Sequence, residues 1–135
     1  MSIRRLNKEL KTYPMNDGPI QFKELIDDNV SEQRWVVIPS VGETVAFDGV
    51  SIDLYVKIPG EYPFKAPIVT LCKTIFHPNV YQTGLCLDKV NNWQPTTTIL
   101  DVMKEVLSVI MSPVIDTALN AEAASLFVTN RQEYV

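Results

Sequence analysis

The stretch His77-Pro78-Asn79-Val80-Tyr81-Gln82-Thr83-Gly84-Leu85-Cys86-Leu87-Asp88 holds the chain's single histidine and one of its two cysteines. Cysteine attacks as the thiolate, and an ordinary thiol, with a pKa of about 8.5, is ionised only to a few per cent at neutral pH. Cys86 follows Gly84 in a polar segment, which suits access to solvent, and its nearest cation in sequence is Lys89. Two kinds of acyl chemistry fit these residue types. His77 could pair with Cys86 as the thiol–imidazole dyad of a protease or acyl hydrolase, because such partners need only meet in space. Alternatively, Asn79 could offer an amide donor to the oxyanion of an acyl-transfer intermediate. A cysteine with an amide donor and no general base suits a reaction in which a thioester is handed on. Each residue also has a plainer reading. His77, followed by the rigid Pro78, could be a capping or packing histidine, and the Asn79 side chain could bond the loop backbone.

A chain of 135 residues has to hold this stretch, and a single domain spanning 1–135 is the expectation at that length. Lys and Arg total 12 against 16 Asp and Glu, a net charge of −4, which argues against a nucleic-acid binder held by phosphate contacts. No uninterrupted apolar run approaches the roughly 20 residues of a membrane span. The charged start, Arg4-Arg5-Leu6-Asn7-Lys8-Glu9, is unlike a signal peptide. The expectations are therefore no nucleic acid, no membrane, and an intracellular location, cytoplasmic, nuclear or both. Cys72 and Cys86 alone make neither a disulfide framework nor a zinc site. Each is either a small buried hydrophobe or a reactive thiol.

Residues 3–13 predict an amphipathic helix, with Ile3, Leu6, Leu10 and Tyr13 on one stripe and Pro14 closing it. Arg4, Lys8 and Lys11 recur on a second face, with Arg5 beside them. In an acidic chain that face is either a solvated surface or a dock for an acidic partner. Residues 20–75 read as a strand meander. Trp35 to Ile38 is a β-rich run. Val45 and Phe47, then Val50, Ile52, Leu54, Val56 and Ile58 after the turn dipeptide Asp48-Gly49, alternate with period two. Ile68 to Cys72 is a further strand, with Cys72 in phase with Ile68 and Thr70, opposite Val69 and Leu71, and packing there is its expected role.

Between Lys73 and Thr98 the periodicity fades, and a long irregular segment in a compact chain is usually functional. Residues 98–111 then predict a helix lying on a sheet, with Ile99, Val102, Met103, Val106, Leu107 and Ile110 at helical spacing and Pro113 ending it. Asn120 is the expected N-cap of a last helix that buries Ala124, Phe127 and Val128. The fold class that follows is α+β: an N-terminal helix, an antiparallel meander of about four strands, an irregular catalytic loop and C-terminal helices.

Six motifs occur in order: Arg4 to Leu10; Tyr62-Pro63-Phe64-Lys65-Ala66-Pro67; His77-Pro78-Asn79; Gly84-Leu85-Cys86-Leu87-Asp88; Trp93-Gln94-Pro95; and Leu119-Asn120-Ala121-Glu122-Ala123-Ala124. With this ordered set the chain resembles the ubiquitin-conjugating enzymes, from the first helix to the last residue. The resemblance implies that Cys86 accepts ubiquitin, or a ubiquitin-like modifier, from an activating enzyme as a thioester. A lysine amine or a ligase cysteine then takes it. By the same resemblance Asn79 steadies the loop and the oxyanion, and Arg4, Arg5 and Lys8 contact the activating enzyme. Phe64, Pro95 and Thr96 receive a ligase of RING or HECT type, while Trp93 covers the core. No metal or cofactor is implied for this chain, since ATP is used by the activating enzyme, and a monomer is expected. The proline spacing at 59, 63 and 67 and the resemblance together imply a cis Tyr62–Pro63 bond.

The sequence departs from the family pattern in several places. The spans from Asn79 to Cys86 and from Cys86 to Trp93 are each one residue shorter, and Ala66 replaces the first of two paired prolines. The acidic residue that helps deprotonate the attacking lysine aligns with Thr117. Asp116 beside it is the candidate substitute, and Asp88 is a further acidic candidate next to the cysteine. The family pattern continues past Val135 into a final helix, so that helix is expected to be missing. The alternative function is a non-catalytic, ubiquitin-binding variant of the fold that acts as a cofactor to another enzyme. Such variants usually lack the cysteine, whereas this chain has both Cys86 and Asn79.

Overall fold

The computed structural model of the chain describes residues 3–14, 18–39, 50–75, 77–112, 119–120, 122–123 and 125. Helix α1 (Ile3–Leu10) precedes a six-stranded antiparallel sheet. Its strands are β1 (Ile20–Ile26), β2 (Asn29–Val37), β3 (Ile52–Lys57), β4 (Ile68–Leu71), β5 (Val80–Tyr81) and β6 (Gly84–Leu85), in the order β1-β2-β3-β4-β6-β5. A one-turn helix α2 (Asp88–Asn91) and the long helix α3 (Ile99–Met111) follow. The expected meander of four strands is β1 to β4. The segment expected to be irregular adds two short strands and one helical turn.

The sheet forms because its strands alternate and its turns permit it. Asp27 and Asp28 join β1 to β2 with φ of 53° and 56°, the left-handed pair that a two-residue hairpin turn requires. Trp35 lies opposite Leu54 across β2 and β3, and Leu54 lies opposite Leu71 across β3 and β4. These residues, with Phe22, Val37, Ile52, Val56 and Val69, are buried in one core with Ile99, Val102, Met103, Val106, Val109 and Ile110 of α3. Fully burying such a side chain contributes roughly 1.5–3 kcal/mol, so the α3–sheet interface is the main apolar support of the fold. Gln33 is the polar exception on the core side. It donates to the Val30 carbonyl at 3.1 Å and accepts from Trp35 Nε1 at 3.0 Å, so its burial leaves neither end unpaired.

Helix α3 begins with a reciprocal cap. The Thr98 hydroxyl accepts from the Asp101 N–H at 3.1 Å, and the Asp101 carboxylate accepts from the Thr98 N–H at 3.0 Å. That Thr-x-x-Asp pattern is a readable helix start. The N-cap expected at Asn120 is also present, since its Oδ1 accepts from the Ala123 N–H at 3.0 Å. The Tyr62–Pro63 bond is cis, as expected.

Several details differ from expectation. α1 ends at Leu10, and Tyr13 reaches the core through a turn, its ring edge-to-face with Trp35 at 4.5 Å and tilted against Phe22 at 5.2 Å. Ile3 is exposed, because only the part of the stripe around Leu6 lies over the core. Val50 is exposed and precedes β3. Cys72 keeps its predicted phase but is not packed. β4 ends at Leu71, and its alternation turns Ile68 and Cys72 to the exposed face. Val109, absent from the predicted stripe, is buried. Val45, Phe47, Asp48, Gly49, Pro113, Asp116, Thr117, Ala124, Phe127 and Val128 lie outside the described residues.

Candidate active site

The loop that carries Cys86 is built by backbone hydrogen bonds. His77 is fully buried. Its Nδ1 accepts from the Asn79 N–H at 3.0 Å, which leaves the ring proton on Nε2, directed at the Val109 carbonyl at 2.8 Å. Burial lowers its pKa from 6.5 to about 4, so the ring is neutral at physiological pH. With both nitrogens committed to backbone, His77 is not a base for Cys86, and the dyad reading is corrected. His77 is the pin between the loop and α3.

Pro78 extends this pin to the C-terminal segment, its carbonyl accepting from the N–H groups of Leu119 at 2.6 Å and Asn120 at 2.9 Å. Asn79, also fully buried, accepts the Cys86 N–H on its carbonyl at 3.0 Å. The chain between them makes a tight hairpin, with Val80 opposite Leu85 and Tyr81 opposite Gly84. Gln82, at φ 56°, supplies the left-handed turn. A two-residue turn leaves no slack, which is the physical form of the shortened span. The hairpin joins the main sheet where Thr70 faces Gly84 and the Leu71 N–H donates to the Thr83 carbonyl at 2.8 Å.

Cys86 leaves β6 half-buried, and the next residue, Leu87, is anchored in the core. α2 then starts without a side-chain cap of its own, because Leu87 stands at its N-cap. Its first N–H groups are satisfied from another helix. Glu105 of α3 accepts from Asp88 N–H at 2.7 Å and Lys89 N–H at 2.9 Å. The Asp88 carboxylate accepts from Asn92 Nδ2 at 2.8 Å. At the end of α2, Asn91 Nδ2 lies 3.7 Å from Cys86 Sγ.

Phe64, 80% exposed, and the exposed Pro95 and Thr96 stand on neighbouring loops. Trp93 ties these loops together, donating from Nε1 to the Pro63 carbonyl at 2.7 Å and facing Tyr62 at 5.8 Å. It packs half-buried against the core. Arg4 and Lys8 are exposed, but Arg5 turns inward. Its guanidinium bonds Glu9 at 3.1 Å, the Pro95 carbonyl, and the Thr97 carbonyl at 2.6 Å, and lies over the Tyr62 ring. Arg5 therefore braces the loop bearing Pro95 and Thr96, while Arg4 and Lys8 remain on the open basic face. The second cysteine is set differently from Cys86. Partial burial and the nearby Asp53 carboxylate push the Cys72 thiol up.

Glu105, Asn91 and the buried Glu9 were not legible as site residues. The acidic residue in α3 and the asparagine after Val90 look like ordinary solvated positions; the packing of α2 against α3 brings Glu105 to the cysteine loop, and the turn of α2 brings Asn91.

The fold and this loop belong together in known proteins. The ubiquitin-conjugating enzyme family model matches residues 5–135. The chain is 34% identical over 120 residues to ubiquitin-conjugating enzyme E2 3 of Arabidopsis thaliana, covering 87% of this chain and 79% of that one. It is 34% identical over 133 residues to ubiquitin-conjugating enzyme E2 2 of Fusarium solani, covering 97% and 87%. It is 29% identical over 133 residues to ubiquitin conjugating enzyme E2 B of Dictyostelium discoideum, covering 97% and 88%. The chain belongs to the ubiquitin-conjugating enzyme family. Membership carries an E2 transferase class and, in general terms, ubiquitin, an activating enzyme and a ligase as partners.

Proposed function

We propose that Cys86 takes ubiquitin, or a ubiquitin-like modifier, from the activating enzyme as a thioester and passes it to a lysine amine or a ligase cysteine. The Cys86 sulfur attacks the activating enzyme's thioester carbonyl, a new C–S bond forms, and the old one breaks with release of the donor thiolate. The observation that carries this reading is the placement of Cys86 on a loop held through Asn79, His77 and α3, half-open to solvent. Its supports are hydrogen bonds to main-chain groups, two of them made by the His77 ring, and do not depend on the reacting thiol. The exposed Cys72 has its thiol pushed up, which reduces its thiolate fraction.

In this reading Asn79 braces the loop and supports the oxyanion. Arg4 and Lys8 meet the activating enzyme, with Arg5 shaping the adjoining loop. Phe64, Pro95 and Thr96 receive a RING- or HECT-type ligase. The chain acts as a monomer in the cytoplasm or nucleus and needs no cofactor of its own, ATP being consumed by the activating enzyme. The test is a charging reaction with ATP, activating enzyme and modifier, run on a non-reducing gel. The parent should form a thiol-sensitive adduct, Cys86→Ser a slower ester that survives thiol, and Cys86→Ala none. Loading of Cys86→Ala through Cys72 would overturn the assignment.

A further inference from the structure

The geometry points to Asn91 as a further catalytic residue, an amide donor to the reacting sulfur, with Glu105 as the positioning residue that holds it there. The inference rests on the carrier reading of Cys86. Two independent observations meet in it. The first is at the sulfur: Asn91 Nδ2 approaches Cys86 Sγ to 3.7 Å. The second is at the far end of the same helical turn. α2 has leucine at its N-cap and no side-chain cap of its own, so its first N–H groups would go unpaired within the helix. The Glu105 carboxylate supplies both bonds, at 2.7 and 2.9 Å.

Glu105 can do this because α3 cannot shift. Its neighbours Val102, Met103 and Val106 are fully buried in the core. At the other end of α2 the Asn92 N–H returns to the Asp88 carbonyl at 2.8 Å. A four-residue helix too short to be stable alone is thus tied to α3 at its first turn and closed by its own backbone bond at the last, and Asn91 is its last residue.

The chemistry gives the donor a task. In discharge the substrate amine nitrogen bonds to the thioester carbonyl carbon and the C–S bond breaks. The bonding pair stays on Sγ, and the amine proton leaves to water. Negative charge grows on sulfur as that bond lengthens, and a hydrogen-bond donor already aimed there lowers the barrier. Asn79 serves another end of the loop, through the Cys86 N–H.

The test uses the full chain carrying Cys72→Ala, so that Cys86 is the single thiol. Two rates are read: alkylation of the unloaded protein by iodoacetamide at pH 7, and single-turnover discharge of the loaded thioester to free lysine. Because the thiolate is the species alkylated, loss of a donor to it should slow alkylation. Asn91→Ala should slow discharge about tenfold, the scale of one hydrogen bond to a charged group, and slow alkylation by a smaller factor, because a thiolate without its donor is also more nucleophilic. Glu105→Ala should reduce both similarly, Glu105→Gln should fall between it and the parent, and the double variant should be no slower than the slower single.

Alkylation of Asn91→Ala at or above the parent rate would overturn the inference, since an amide that merely shields the sulfur gives that result. Multiplying effects in the double variant would overturn the role of Glu105. The alkylation arm needs neither modifier nor activating enzyme. A protein that never loads but follows the alkylation pattern refutes the carrier reading and leaves the Asn91 donor standing. One that loads without the pattern refutes only the donor.

Discussion

Replacing Glu9 with alanine should be among the most destabilising single changes outside the apolar core. Glu9 is 7% exposed. Its Oε2 accepts from Tyr62 Oη at 2.6 Å and Arg5 Nε at 3.1 Å, and its Oε1 accepts from the Ile99 N–H at 2.9 Å. One carboxylate therefore knots α1 to the turn after Pro59 and to the start of α3. Truncation strands a buried hydroxyl, a helix-terminal N–H and part of a guanidinium. A hydrogen bond to a charged group contributes about 1.5–3 kcal/mol. The three bonds share one anion, so their losses do not simply add, and breaking a buried pair on one side costs about 3–5 kcal/mol.

Against a whole-domain stability of about 5–15 kcal/mol, that is a fall in Tm of about 10–20 °C. Glu9→Gln retains the volume. Its amide oxygen can still face Ile99 and the Tyr62 hydroxyl can turn to accept from the amide NH2, while Arg5 Nε loses its acceptor, so its loss should be about 1.5–3 kcal/mol. Urea unfolding followed by tryptophan emission, with m unchanged between variants, measures both. A Glu9→Ala protein within about 1 kcal/mol of the parent would refute the knot, and a Glu9→Gln protein as weak as Glu9→Ala would show that charge alone decides.

His77 makes stability depend on acid. Its pKa is 6.5 ordinarily and about 4 in the fold, so the unfolded chain binds the proton first. The contribution is fully present above pH 6.5 and is lost as pH falls toward 4, up to a ceiling of about 3 kcal/mol. Unfolding free energies measured from pH 7 to pH 4 should fall with a slope that His77→Gln flattens, and an unchanged slope would refute it. Phe64→Ala should leave Tm and charging near the parent, because the ring is 80% exposed, while weakening ligase-stimulated discharge. Equal loss of charging and Tm would point to packing instead. Asn79→Ala, if the oxyanion role holds, should load well and discharge to lysine about a hundredfold or more slower. If bracing dominates, loading and Tm should fall with it, and an unchanged discharge rate would refute both roles.

Periodicity and local chemistry determined a good part of this protein without reference to its fold. The alternation of Ile52, Leu54, Val56 and Ile58 and the helical spacing from Ile99 to Ile110 placed a strand and a helix where they are found. Each such element has to bury one face, and the pattern is the record of that burial. Asn120 was legible as an N-cap because capping is a contact between near neighbours. The phase of Cys72 was equally readable, but which face of β4 is covered was not, because that depends on where α3 lies.

The same limit explains the site. His77 and Cys86 were visible as reactive residue types. What tertiary structure decided is that both nitrogens of the imidazole are spent on backbone, one of them on a carbonyl 32 residues away. It also turned Arg5 from a basic face to the carbonyls of Pro95 and Thr97, and it brought Glu105 to a helix 16 residues before it. Partners so far apart in sequence leave no periodic trace. They meet only because the packing of α1, α2 and α3 around the sheet sets the direction in which each side chain points.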